Sequence, residues 1–313
     1  MLNLQDKRIL VTGGHGFIGQ WVIDNLIKTR GLKPKQIIVP NSKRDDLRDF
    51  DNCQRLIKKN KIDVIIHLAA IVGGVGFSQK FPATQYYNNI LMDLQIIEAA
   101  KDCKVQKIIS VSSSCAYPKD SVYPLVEANL WNGLPQETNL AYGIGKRILS
   151  VQADAYRQEY GTNIVVVIPN NAYGPGDNFD EEYSHVIPAL IRKCLTNDNP
   201  LVVWGDGTPT RDFLYVKDFA EGVILAAEKL ETSDPVNLGT GEETSIKNLV
   251  ELVQKLTNHT GKVVYDTSQP NGQPRRSVSI AKAKTLLGFS PQYSLEDGLS
   301  ETIAWYKTNQ NKV

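Results

Sequence analysis

The chain has 313 residues, enough for one large α/β unit or for two lobes that share a cleft. Hydrophobic residues make up 42% and charged residues 22%, with 35 lysines and arginines against 34 aspartates and glutamates. This balance excludes a disordered or fibrous chain and provides no global field to recruit nucleic acid or an anionic membrane, although a local basic pocket is still allowed. The segment Met1 to Lys7 lacks the apolar core of a signal peptide, and no apolar run approaches the ~20 residues that span a bilayer. Cys53, Cys103, Cys115 and Cys194 are scattered with no CxxC pair. Neither a metal site nor a disulfide framework is expected, and a reducing cytoplasm is the expected home.

In chain order, short β-branched runs alternate with longer amphipathic stretches. Arg8 to Thr12 reads as a buried strand, because its apolar run is continuous and ends in glycine. Helix is expected over 16–28, strand over 36–39, helix over 51–59 and a strong strand over 63–67. A long helix over 82–102, a strand over 107–111, a second long helix over 138–160 and a strand over 163–168 follow. Strands separated by helices imply right-handed crossovers and a parallel, doubly wound α/β sheet. After Pro169 the residues 170–215 are rich in Gly, Pro, Asn and Asp, with a short strand at 201–204. Helix over 216–230 and strand over 236–238 come next, then a tail of two or three helices with a strand at 262–265. The expected division is a dinucleotide-binding domain over 1–170 plus about 214–240, and a smaller interleaved substrate-binding lobe over 171–213 and 241–313.

Gly13, Gly16 and Gly19 form a GxxGxxG spacing between the first strand and first helix. Chemistry that needs this pattern is a tight turn, close backbone approach to a pyrophosphate, and free N–H groups at a helix N-terminus. The second strand ends in Ser42-Lys43-Arg44, with no acid at the strand end to hold a ribose 2′-hydroxyl. That favours NADPH over NADH, with Ser42 and Arg44 as 2′-phosphate contacts. Asp49 is a candidate acceptor for the adenine amino group, and Leu68-Ala69-Ala70 supplies small residues where a cofactor must pass. His67, just before them, reads as a packing residue rather than a catalyst.

Tyr142 and Lys146 are four residues apart on an expected helix and so share a face. A nearby ammonium is expected to lower the phenol pKa from its reference near ~10. Ser113, in Ser112-Ser113-Ser114-Cys115 after the preceding strand, can reach a carbonyl oxygen beside that phenol. These elements occur in the order that hydride transfer requires.

The combination resembles the extended short-chain dehydrogenases/reductases that act on nucleotide sugars, and within them the GDP-L-fucose synthase family. The shared segments are Val72-Gly73-Gly74-Val75, Ser113 to Lys119, Asn171 to Phe179, Ser184-His185-Val186-Ile187-Pro188-Ala189-Leu190, and Val203 to Phe213, so the likeness runs over most of the chain. The resemblance implies a Rossmann-like fold and a GDP-sugar substrate. It also implies C3 and C5 epimerisation of a 4-keto-6-deoxy sugar followed by NADPH reduction. By position it gives Cys115 and His185 the base and acid roles, and Ser113, Tyr142 and Lys146 the carbonyl. Cofactor contacts are implied for Phe17, Ile18, Pro169, Asn171 and His185 as well. Arg211 matches a diphosphate-binding arginine, Trp204 lines the nucleotide pocket, Asn171 contacts the sugar or phosphate, and Arg192, Lys193 and Arg275 are candidate phosphate or base contacts. A homodimer is implied, with the helices over 82–102 and 138–160 as its interface. The chain departs from the pattern at Gly76-Phe77-Ser78-Gln79, at Lys193 in place of arginine, and in the residues flanking Tyr142.

Three alternatives remain open on sequence, the first being a reductase or epimerase that acts on another 4-keto nucleotide sugar. A nucleotide-sugar 4-epimerase with tightly held NAD would keep Ser113, Tyr142 and Lys146 without needing Cys115 or His185, though it would want the missing strand-end acid. A non-catalytic dinucleotide sensor would have no use for the Tyr/Lys pair.

Overall fold

The computed structural model describes residues 1–269 and 271–310. Its centre is a six-stranded, all-parallel sheet in the order β10-β5-β4-β3-β1-β2. These strands are β1 (Ile9–Thr12), β2 (Ile37–Ile38), β3 (Val64–His67), β4 (Lys107–Val111), β5 (Ile164–Pro169) and β10 (Val236–Leu238). Side chains alternate across a pleat, so successive residues feed opposite faces. Ile9, Val11, Val64, Ile66, Val165 and Val167 pack on one face with Val22 and Leu26 of α1 (Phe17–Lys28) and Phe219 and Val223 of α7 (Val216–Lys229). Leu10, Ile65, Ile108, Ile164 and Val166 pack on the other face. There they meet Leu56 of α2 (Phe50–Asn60), Ile96 of α4 (Pro82–Asp102) and Leu149 of α5 (Leu140–Tyr160). Apolar residues on both faces explain why these strands read as continuous runs rather than alternating ones.

Strand order reverses beside β1, which pairs with β2 on one side and β3 on the other. The crevice outside the strand ends at such a switch point is where this architecture binds ligands. Thr12 and His67, the last residues of β1 and β3, lie side by side there.

The remaining strands and helices lie outside this sheet, and several of them build a second core. They are α3 (Val75–Lys80), β6 (Asn171–Tyr173), α6 (Val186–Leu195), β7 (Leu201–Trp204), β8 (Thr210–Arg211), β9 (Phe213–Tyr215), β11 (Thr244–Ser245), α8 (Ile246–Thr257), β12 (Val263–Asp266), β13 (Arg275–Arg276), α9 (Ala281–Leu287) and α10 (Leu295–Asn309). Phe179, Ile187, Ile191, Leu201, Leu249 and Ile303 form this core. Ile18 and Trp21 of α1 pack against both it and the sheet core, which joins the two.

Most long elements fall where the apolar pattern puts them; the differences have local causes. The second strand shortens to Ile37–Ile38, because a short 3-10 turn occupies Pro34–Gln36 and Pro40 follows. The six residues of α3 are too few for a helical period and were not expected. Among the described residues no helix is long and apolar enough to cross a membrane.

Candidate active site

The first βα turn is built by contact between glycines. A Cβ on Gly19 would meet the Gly13 carbonyl oxygen at 2.2 Å, and Gly13 itself has φ +67°. Helix α1 is therefore pressed onto the turn, and its N-cap, Gly16, has no side chain to occupy the helix N–H groups. The turn thus leaves room and donors for a pyrophosphate. Phe17 and Ile18 are half-buried against the second core, and Leu68, Ala69 and Ala70 are half-buried across from the turn.

Ser42 and Arg44 are exposed beyond β2. Arg44 bonds Asp45 at 3.0 Å, and the buried Asp45 carboxylate also accepts the Asn41 amide N–H at 3.1 Å. The acid that follows Arg44 is thus folded underneath it. Asp49 caps α2, accepting the Asn52 amide N–H at 2.8 Å. The oxygen expected to face adenine is in part committed to the helix.

Beyond β4 the chain makes a short turn capped by Ser113, whose hydroxyl accepts the Cys115 amide N–H at 3.2 Å. Helix α5 approaches this turn closely enough that a Cβ on Gly143 would lie 2.4 Å from the Cys115 carbonyl oxygen. The glycine after Tyr142, a departure from the family pattern, is what permits this packing. Ser112 Oγ donates to the Lys146 carbonyl at 2.8 Å, and Arg147 Nε donates to the Ala116 carbonyl at 2.8 Å, locking helix to turn. Ser113, Cys115, Tyr142 and Lys146 are thereby gathered at the sheet end.

The expected lowering of the Tyr142 phenol is absent. Burial pushes its pKa well above the usual phenol range, the charges of Cys115 and Asp93 push the same way, and a hydrogen bond from Ser113 only partly offsets them. The Lys146 ammonium is paired with Asp93, at 3.4 Å.

His185 is the N-cap of α6, yet its ring makes no capping hydrogen bond. Water reaches it, but the surrounding protein disfavours charge and lowers the imidazole pKa. The segment before it is held from α3: Gly74 N–H donates to the Tyr183 carbonyl at 3.2 Å, and Phe77 meets the Tyr183 ring edge-on. The Val72–Val75 motif thus supports the His185 segment.

The loop from β6 to α6 contains Asp177, 6% exposed. One carboxylate oxygen accepts the Asn178 amide N–H at 2.7 Å, and the other has no partner among the described residues. Burial pushes its pKa up to about 7, against the opposing pull of that amide. An unfolded aspartate releases its proton near ~4, so the folded chain binds the extra proton between pH ~4 and ~7 and loses stability as pH rises through that window. Asp177→Asn is expected to match the unmodified chain near pH ~4 and to exceed it by roughly 2–4 kcal/mol at pH ~8 in urea unfolding.

Two arginines converge opposite the Ser113 turn. Strand β13 pairs with β8, setting Arg276 against Arg211. Arg276 Nη1 donates to Cys115 Sγ at 3.2 Å. Arg211 donates to the carbonyls of Thr210 and Gln273 at 2.7 and 2.8 Å, and burial followed by repulsion from Arg276 lowers its pKa to about 10. Two cations this close favour an anion between them. Arg275 turns the other way and forms a pair with Glu243 at 2.5 Å. Sequence reading singled out Arg275 and passed over Arg276; adjacent arginines look alike until the register of β13 is known.

The other expected ligand residues are more dispersed. Asn171 donates its side-chain N–H to the Asp212 carbonyl at 3.0 Å, next to Arg211. Pro169 ends β5 beside it. Lys193 donates to the Val202 carbonyl at 2.9 Å, Arg192 pairs with Glu181 at 2.7 Å, and Trp204 is 62% exposed on β7. His67 is buried, as a packing residue should be, and both ring nitrogens are also partnered: Nε2 lies 2.8 Å from Asp93 Oδ1 and Nδ1 2.7 Å from Thr12 Oγ1.

Residues 9–239 match the profile of the NAD dependent epimerase/dehydratase family. A GDP-L-fucose synthase of Sinorhizobium fredii is 35% identical, the match covering 99% of this chain and 98% of that protein. A probable GDP-L-fucose synthase of rice, Oryza sativa subsp. japonica, is 34% identical over 98% of this chain and 94% of its own. A crystal structure of a GDP-L-fucose synthetase from Naegleria fowleri bound to NADP superposes with a TM-score of 0.89 at 33% identity, covering 99% of this chain and 96% of the other.

Proposed function

The chain belongs to the NAD dependent epimerase/dehydratase family, and from that premise we propose that it is an NADPH-dependent epimerase-reductase that converts GDP-4-keto-6-deoxy-D-mannose to GDP-L-fucose. The observation that carries the reading is a thiol, Cys115, packed with Ser113 and Tyr142 and bonded by the Arg276 guanidinium at 3.2 Å. A 4-epimerase or a sensor has no use for that thiol.

Residues fit the cofactor on the observations above: the Gly13–Gly19 turn, the uncapped start of α1, and exposed Ser42 and Arg44. Bound NADPH would supply the hydride for C4. Lys146 would hold the nicotinamide ribose, with Leu68 to Ala70 and Pro169 alongside.

Protons on C3 and C5 are acidic because the enolate spreads charge onto the C4 oxygen. Ser113 and Tyr142 donate hydrogen bonds to that oxygen and stabilise the charge as it develops. Cys115 removes a proton, with Arg276 at hand for the sulfur's negative charge. His185 delivers one, and a neutral imidazole open to water can reload between steps. Tyr142, kept protonated by burial, then gives its proton to the C4 oxygen as the alcohol forms. Arg211 and Arg276 grip the diphosphate, Asn171 helps orient it, and Trp204 and Lys193 contact the nucleotide.

The lobe over 171–213 and 241–313 is the substrate-binding part of this scheme. A homodimer through α4 and α5 fits the exposed Tyr86, Tyr87, Leu94 and Val151 on those helices, and four free cysteines fit a cytoplasmic enzyme. The test is NADPH absorbance with GDP-4-keto-6-deoxymannose. Oxidation is expected; turnover of a different 4-keto nucleotide sugar alone would remove the fucose assignment and keep the class.

A further inference from the structure

The mechanism uses Lys146 but leaves unexplained a row of buried polar side chains behind it. Thr12, His67, Asp93 and Lys146 come from β1, β3, α4 and α5, and none is more than 3% exposed. Thr12 Oγ1 lies 2.7 Å from His67 Nδ1, His67 Nε2 lies 2.8 Å from Asp93 Oδ1, and Asp93 Oδ2 lies 3.4 Å from Lys146 Nζ.

The first link fixes the rest. Thr12 Oγ1 also accepts the Leu68 and Ala69 amide N–H groups, at 3.1 and 3.2 Å. A hydroxyl has two lone pairs and one proton, so with both pairs taken it gives the proton to Nδ1. The ring hydrogen of His67 is then on Nε2 and is donated to Asp93. One Asp93 oxygen is held this way, and the other faces the ammonium. A buried ammonium needs a paired anion, and Asp93 is the acid that supplies it among the described residues. An ammonium has three N–H groups, so one spent on Asp93 leaves two for the cleft.

We propose that Asp93, oriented by His67, is a positioning residue. It fixes the Lys146 ammonium for the NADPH ribose and ties that setting to the Leu68–Ala69 loop at the cofactor crevice. The proposal rests on the NADPH reading above and not on the identity of the sugar.

A double-mutant cycle on NADPH affinity, followed by fluorescence titration of the full chain, tests it. Asp93→Asn keeps the size and an acceptor for His67 while removing the charge. Alone it is expected to weaken NADPH binding about tenfold. In a Lys146→Met background, where the carboxylate has already lost its cation, the same change is expected to cost nothing or to restore affinity. Equal weakening in both backgrounds, or none in the unmodified one, would overturn the proposal and show a packing role. Should Asp93→Asn fail to fold, His67→Gln frees the carboxylate with its charge intact; the same cycle then expects a loss that also vanishes without Lys146. If the unmodified chain binds no NADPH, the cofactor reading itself is lost and this proposal with it, a result distinct from either pattern of the cycle.

Discussion

Replacing Tyr142 with phenylalanine is expected to slow NADPH oxidation about a thousandfold while leaving NADPH affinity within about twofold, since a positioned acid contributes typically ~10²–10⁴ to rate. The reason lies in where the phenol is held. Burial pushes its pKa up, with Cys115 and Asp93 acting in the same direction, so the proton is retained across the neutral range. A retained proton is what the reductive direction uses, because the oxygen at C4 must receive one as hydride arrives. The ring itself stays in place in the variant, packed by the close approach of α5 to the Ser113 turn that Gly143 allows. Single-turnover absorbance with saturating GDP-4-keto-6-deoxymannose separates this from a binding defect. A loss that appears in KM with kcat preserved would take Tyr142 out of the acid role.

Cys115→Ser is expected to reduce solvent deuterium entry at C3 or C5 about a hundredfold or more, with NADPH binding unchanged. A serine hydroxyl is a far weaker acid than a thiol, so it gives up its own proton less readily and makes a poorer proton-transfer group near neutrality. The 3.2 Å contact from Arg276 puts a fixed positive charge where the anion would form, and this is lost on a serine, which has a shorter bond to its oxygen and little anionic character. Mass spectrometry of product formed in D2O reads both positions at once. Normal uptake at both carbons would take the base role from Cys115 and leave it a packing residue.

Much of the sheet is legible in the amino-acid order because each strand is buried on both faces. Runs such as Val64 to Ile66 carry no polar residue to disguise them. The long helices α4 and α5 show themselves by length. The smaller lobe hides, since β8, β11 and β13 have two residues each, too few for any period. The site divides in the same way. Ser113 and Tyr142 can be anticipated together because one follows a strand end and the other lies in the first turn of the next long helix, while Cys115 enters through the resemblance. Asp93 could not: on an amphipathic helix an acid reads as solvent-facing, and only the stacking of α4 against α5 and the end of β3 buries it. The hydrogen bonds of the buried His67 are hidden for a similar reason, because its partners come from β1 and α4, distant in the chain. Arg276 was missed in favour of its neighbour because strand parity, invisible in the letters, decides which arginine faces inward.

That parity has a consequence for how the chain can vary. Arg275 and Arg276 pair in register with Thr210 and Arg211, and they point to opposite sides of a two-residue strand. A single residue inserted just before Pro274 and absorbed by sliding would exchange them. The guanidinium now held by Glu243 would swing to the sulfur, and the one at the sulfur would swing out. The adjacent arginines therefore keep a guanidinium at Cys115 through a slip of one residue, whereas a slip of two would bring Pro274 to that place and leave the sulfur without its cation.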